Sequence, residues 1–105
     1  MGLESTNVRD SEGAALYILH TGSILMLQEL ERLVEEISRQ VSHQIKLLDV
    51  NSEDGEKVRD FYDITESSLP VAFIVRDDDT LTSIWTSEQI PDANTIAFQL
   101  RETSA

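Results

Sequence analysis

The stretch Ala14-Ala15-Leu16-Tyr17-Ile18-Leu19, with Gly13 before it and Gly22 shortly after, constrains the fold more than any other part of the chain. It is short, continuous, apolar and bracketed by turn formers, the pattern of a strand buried on both faces. Such a strand needs helices on both sides of its sheet. The chain supplies the first at once. Leu27, Leu30, Leu33 or Val34, Ile37 and Val41 recur at steps of three or four, with Glu29, Glu31, Arg32, Glu35, Glu36 and Arg39 between them. That spacing predicts an amphipathic helix with a solvated, mostly acidic face. Thr21 or Ser23 can cap its start by accepting a hydrogen bond from a free backbone N–H.

Ile45, Leu47, Leu48 and Val50 predict a second short strand, closed by Asp49, Asn51 and Ser52. Residues 52–62 read as a shorter helix capped by Ser52, with Glu53 and Asp54 at the positive end of its dipole and Val58, Phe61 and Tyr62 facing inward. Gly55 weakens this helix. After Pro70 the run Val71 to Val75 is apolar again. Asp77-Asp78-Asp79 and the alternating stretch 81–86 then complete a hairpin. Leu81, Ser83 and Trp85 are expected on one face of the last strand, with Thr82, Ile84 and Thr86 on the other. Pro91 opens a C-terminal helix with Ala93, Ile96, Ala97 and Leu100 on one side. Tyr17, Phe61, Tyr62, Phe73 and Phe98 read as core or near-core positions.

The order is β-α-β-α-β-β-α, an α/β domain over residues 14–105 with a mixed central sheet flanked by helices. Residues 1–13 are expected to form a tail or a short edge strand. Right-handed crossovers place the first two strands parallel and adjacent.

Charge and cysteine content narrow the function. The chain has 20 acidic against 8 basic residues, a net charge of −12. That field repels nucleic acid and anionic lipid, so neither is an expected partner. With no cysteine, disulfides, thiolate nucleophiles and Cys-based zinc sites are excluded. No apolar run reaches the roughly 20 residues of a membrane span, and residues 1–10 lack the basic and then apolar segments of a secretory signal. The expected location is the cytoplasm.

Three features together resemble the thioredoxin fold. A buried strand ending at His20 turns tightly into a long helix; Phe61-Tyr62-Asp63-Ile64 leads to Leu69-Pro70-Val71; a hairpin and a helix close the chain. In that family the turn carries a Cys-X-X-Cys pair at the helix N-terminus, and a cis-proline faces it. The cysteine positions match Ser23 and Met26, and His20 and Thr21 stand where a tryptophan is common. A serine hydroxyl at a helix N-terminus gains too little to ionise near neutral pH, and a thioether forms no disulfide. The redox role therefore does not carry over, and no enzymatic activity is expected.

Pro70 matches the cis-proline by resemblance, the alternative being an ordinary trans proline at the start of an edge strand. The resemblance gives the backbone of Leu69 the part of pairing with an extended peptide. It implies a non-catalytic domain that binds a protein or peptide through Thr21, Gly22, Ser23, Met26, Leu69 and Pro70. Cysteine-free members of the fold act as chaperones, adaptors and clock-type regulators. The alternative is a degenerate or substituted thiol oxidoreductase or glutathione-binding relative. Val71 and Ala72 would offer glutathione only backbone groups after the proline.

Other constellations carry less. His20 and Ser23 suggest a base and a nucleophile, but capping accounts for the serine. His20 and His43 lie far apart with no Cys support, a poor metal set. Asp77, Asp78 and Asp79 lack the alternating spacing of a calcium loop and suit a hairpin turn. Trp85 either packs beneath the last helix or serves as an interface anchor. No metal or cofactor is expected, and the edge at 81–86 points to a monomer or a weak dimer.

Overall fold

Strand β1 (Ala14–His20) lies inside the sheet, which explains its apolar run: β2 (Gln44–Asp49) pairs with it in parallel and β3 (Val71–Arg76) antiparallel. This computed structural model describes residues 13–104. Strand β4 (Leu81–Thr86) pairs antiparallel with β3, giving the order β2-β1-β3-β4. Helices α1 (Ile24–Ser38), α2 (Glu53–Phe61) and α3 (Ala93–Ser104) complete the expected α/β arrangement. Apart from Gly13, the segment expected as a tail or edge strand lies outside the described residues.

Each sheet face carries its own core. Leu16, Ile18, Ala72 and Ile74 pack with Leu30 and Ile37 of α1 and with Ala93, Ile96 and Leu100 of α3. On the other face Leu19, Val71, Phe73 and Val75 pack with Val50, Ile64 and Leu69, and Val58 and Tyr62 close over them from α2. The right-handed β1-α1-β2 crossover sends α1 to one face, and the antiparallel return through β3 leaves α2 on the other.

Of the two expected caps for α1, the structure uses Ser23, whose hydroxyl accepts from the Met26 N–H. Ser52 caps α2 in the same way through Gly55. At α3 the Asp92 carboxylate accepts from the Thr95 N–H at 2.9 Å, and that bond holds the Asp92 carboxyl below the usual carboxylate range. Pro91 therefore lies just ahead of the cap.

Three sequence expectations need correction. Phe61 is 68 % exposed: Val58 and Tyr62 occupy the inner line of α2, and Phe61 lies about 100° round the helix from Tyr62. Its ring rests edge-on against Tyr62. Phe98 is 52 % exposed because Ile96, Ala97 and Leu100 define the inner face of α3 and position 98 points away from it. Leu81 does not share a face with Ser83 and Trp85. A bulge shifts the register, so that Leu81 pairs with Val75 while Ser83 pairs with Ile74. Directly paired residues share a face, and the extra residue moves Leu81 to the side of Ile84.

The charge excess has a measurable consequence. Twenty acids on a small surface repel one another in the folded state more than in the expanded chain. Thermal unfolding should shift upward as sodium chloride is raised toward about 1 M, where the screening length falls to about 3 Å. A melting temperature that stays flat or falls over that range would show that self-repulsion is not a significant term.

Candidate functional site

The end of β1 and the start of β3 meet at one end of the sheet, because Leu19 pairs with Val71. The next residues along each strand are His20 to Ser23 on one side and Pro70 and Leu69 on the other. The turn into α1 and the loop before β3 are thus brought together by the antiparallel pairing itself. The Leu69–Pro70 peptide bond is cis.

Local bonds fix the turn. Gly22 has φ of +94°, a conformation that L side chains rarely adopt, and a Cβ there would lie 2.9 Å from Asp49 Oδ2. Its N–H donates to His20 Nδ1 at 3.0 Å, so the acceptor nitrogen of this buried imidazole faces the turn and the ring proton is on Nε2. Asp49, which pairs with His20 across the sheet, accepts from the Asn51 N–H at 2.8 Å. Thr21 Oγ1 accepts from the Ser23 N–H at 3.4 Å and points its proton toward Met26 Sδ at 3.7 Å.

These contacts decide what the turn can do chemically. Ser23 Oγ is occupied with the Met26 N–H and His20 Nδ1 with the Gly22 N–H, so the base–nucleophile contact that a hydrolase needs is not made. His20 and His43 stand at opposite ends of parallel strands, and the His43 ring bonds Ser104 Oγ at 2.8 Å. Among the described residues no three His, Asp or Glu side chains are gathered as a metal set. Asp77, Asp78 and Asp79 build the hairpin turn. Asp78 accepts from Thr80, which lowers its carboxyl below the usual range, and Asp79 adopts φ of +69°. The phenol of Tyr62 donates to the Asp79 carbonyl, and its pKa is raised by partial burial and then by the Asp79 charge.

The six residues singled out for a groove divide by exposure. Thr21, Gly22 and Ser23 are exposed, and Met26 and Pro70 are half-buried. The Leu69 side chain is buried in the α2-side core, which leaves only its backbone for contact with a ligand. The Pro70 carbonyl accepts from the Ser87 N–H. Trp85 is half-buried and pairs with Ala72, on the face covered by α1 and α3, so most of its ring packs as core.

Two residues that sequence reasoning passed over dominate the surface. Ile24 and Leu25, in the first turn of α1, are 72 % and 76 % exposed. At 100° per residue they lie about 120° and 140° from buried Leu30, outside the apolar stripe. That departure from the helical period was the available signal.

Comparison with solved structures agrees with this arrangement. A single-substitution mutant thioredoxin from Halobacterium salinarum superposes with a TM-score of 0.69 at 14 % identity, covering 89 % of this chain and 76 % of its own. The fold is thioredoxin-like. Oxidised thioredoxin O2 from Arabidopsis thaliana gives 0.66 at 7 % identity, covering 92 % and 80 %. The N-terminal domain of Synechococcus elongatus SasA gives 0.58 at 12 % identity, covering 98 % and 91 %. No protein-family model and no curated protein matches the chain. This thioredoxin-like chain thus carries the scaffold without any cysteine.

Proposed function

We propose that this thioredoxin-like domain is non-catalytic and binds an apolar, extended protein segment at the lip formed by the Gly22 turn, the first turn of α1 and the Leu69–Pro70 loop. One observation carries the reading. Ile24 and Leu25 project into solvent side by side next to Thr21 and Ser23, whereas the other large apolar side chains exposed on helices, Phe61 and Phe98, stand singly on α2 and α3. Neither aliphatic contributes to the core. An exposed apolar pair suits an apolar docking segment better than a small polar substrate. Without cysteine the same lip cannot form a mixed disulfide with its ligand, so affinity must come from burial and backbone pairing.

Burying one aliphatic side chain contributes about 1.5–3 kcal/mol, so the pair can dominate a modest interface. A titration of labelled protein with a library of extended apolar peptides should shift the amides of Thr21 to Met26 and of Leu69. Ile24→Ser with Leu25→Ser should weaken that binding about a hundredfold or more while leaving stability within about 0.5 kcal/mol. Shifts confined to another surface, or unchanged affinity in the double variant, would rule out this lip.

A further inference from the structure

We propose that two copies of this chain pair along β4 to form a weak dimer with a continuous eight-stranded sheet. Its free edge is visible in the hydrogen-bond register. The Ser87 N–H donates to the Pro70 carbonyl, and Trp85 pairs with Ala72 two residues on, so these positions face β3. Antiparallel ladders alternate, which turns the N–H and C=O of Ile84 and Thr86 outward. Thr86 is also the N-cap of a short 3-10 helix (Ser87–Gln89) whose first N–H its carbonyl accepts, so the edge offers both backbone groups of Ile84 and the N–H of Thr86.

The edge also lacks the usual protection. Natural edges are blunted by charged side chains or proline. The other edge strand, β2, carries Lys46 and Asp49, whereas residues 80–87 contain no charge and no proline in a chain of net charge −12. Ile84 is 46 % exposed on the α2 side, beyond the reach of α2 itself, and Leu81 joins it there at 39 % because of the bulge. The bulge bends the strand at Thr82 and leaves both outward groups of Ile84 and the N–H of Thr86 as the usable stretch.

A second copy is the occupant that this chemistry fits. The edge calls for an extended, uncharged, β-prone strand, and β4 is itself such a strand. A two-fold antiparallel pairing centred on Ile84 sets Ile84 of one copy opposite Ile84 of the other, so each outward Ile84 N–H finds the other copy's Ile84 carbonyl. Each Trp85 then lies close to the axis. Pairing through one edge buries less than the roughly 1,000 Å² of a stable interface, and like net charge opposes the approach. The dimer is therefore transient and strengthened by salt. It uses a different surface from the α1 lip and stands apart from the binding proposal.

Sedimentation of the full chain from micromolar to millimolar concentration, at low and high sodium chloride, tests the assignment. Self-association is expected, stronger at high salt, with a concentration-dependent change in the fluorescence of the single tryptophan. Ile84→Lys and Ile84→Glu should both weaken it about tenfold or more, because like charges then meet across the axis although the net charge moves in opposite directions. Phe98→Lys, on exposed α3, should leave it unchanged. A monomer under all conditions would overturn the proposal, and so would equal loss in the Phe98 variant. So would slow hydrogen exchange at Ile84 and Thr86 in dilute protein, which would show the edge occupied from within the chain.

Discussion

Replacing Phe73 with alanine is expected to destabilise the domain by about 3–5 kcal/mol and to lower its melting temperature by about 15 °C or more. Phe73 has no solvent exposure and sits in β3, between β1 and β4. Its ring stacks on Tyr17 with centroids 5.4 Å apart and planes within 10°, and Tyr62 leans on it at 5.1 Å. One side chain thus joins the central strands to α2. Truncation removes its transfer energy and also leaves a void that neither tyrosine can fill. Tyr62 is held by its bond to the Asp79 carbonyl, and Tyr17 is fixed by its strand. The loss amounts to a large share of the 5–15 kcal/mol that domains of this kind possess. Phe73→Leu should recover more than half of it. Chemical denaturation of both variants provides the check, and an alanine variant losing less than about 1.5 kcal/mol would show that the core closes around the gap.

Much of this architecture could be read from local pattern. The uninterrupted run in β1 identified an interior strand, and the three-four spacing in α1 identified the face that meets it. Ser52 and the acids after it marked the start of α2. These signals work because burial imposes its period on each element separately. What could not be read depends on pairing between distant segments. The alternation in β4 is regular in the sequence, yet an extra residue opposite Ile74 moves Leu81 to the other face. Phe61 and Phe98 look like core by composition, but the inner lines of α2 and α3 are taken by Tyr62 and by Ile96 with Ala97.

The candidate site was legible in the same uneven way. The Gly22 turn, Ser23 as a cap and Pro70 ahead of β3 could be placed from their neighbours in sequence. The exposure of Ile24 and Leu25 was legible only through their departure from the three-four stripe of α1. Leu69 shows the reverse case. It lies in the loop beside the Gly22 turn, but its side chain belongs to the core.

Gly55→Ala sets propensity against packing, and packing should win. Within a helix, alanine is favoured over glycine by about 1 kcal/mol, so the sequence alone suggests a stabilising change. In the structure a Cβ at Gly55 would overlap the Asp49 carbonyl oxygen. That oxygen already accepts from the Ser52 N–H at 2.9 Å and the Ser52 hydroxyl at 2.7 Å, and Ser52 Oγ in turn accepts from the Gly55 N–H. The methyl group fits only if α2 withdraws from the end of β2, which loosens these bonds together. A net loss of about 3 kcal/mol is expected, after the gain in helix propensity. Asp49 also carries the disturbance further, because its carboxylate lies against Gly22 and its strand pairs with His20. Amide shifts in Thr21 to Met26 should therefore accompany the drop in stability, although Gly55 lies outside that turn. A Gly55→Ala variant as stable as the parent would mean that α2 stands farther from Asp49 than the structure places it. A destabilised variant with unmoved shifts at the turn would sever the link between Asp49 and the lip.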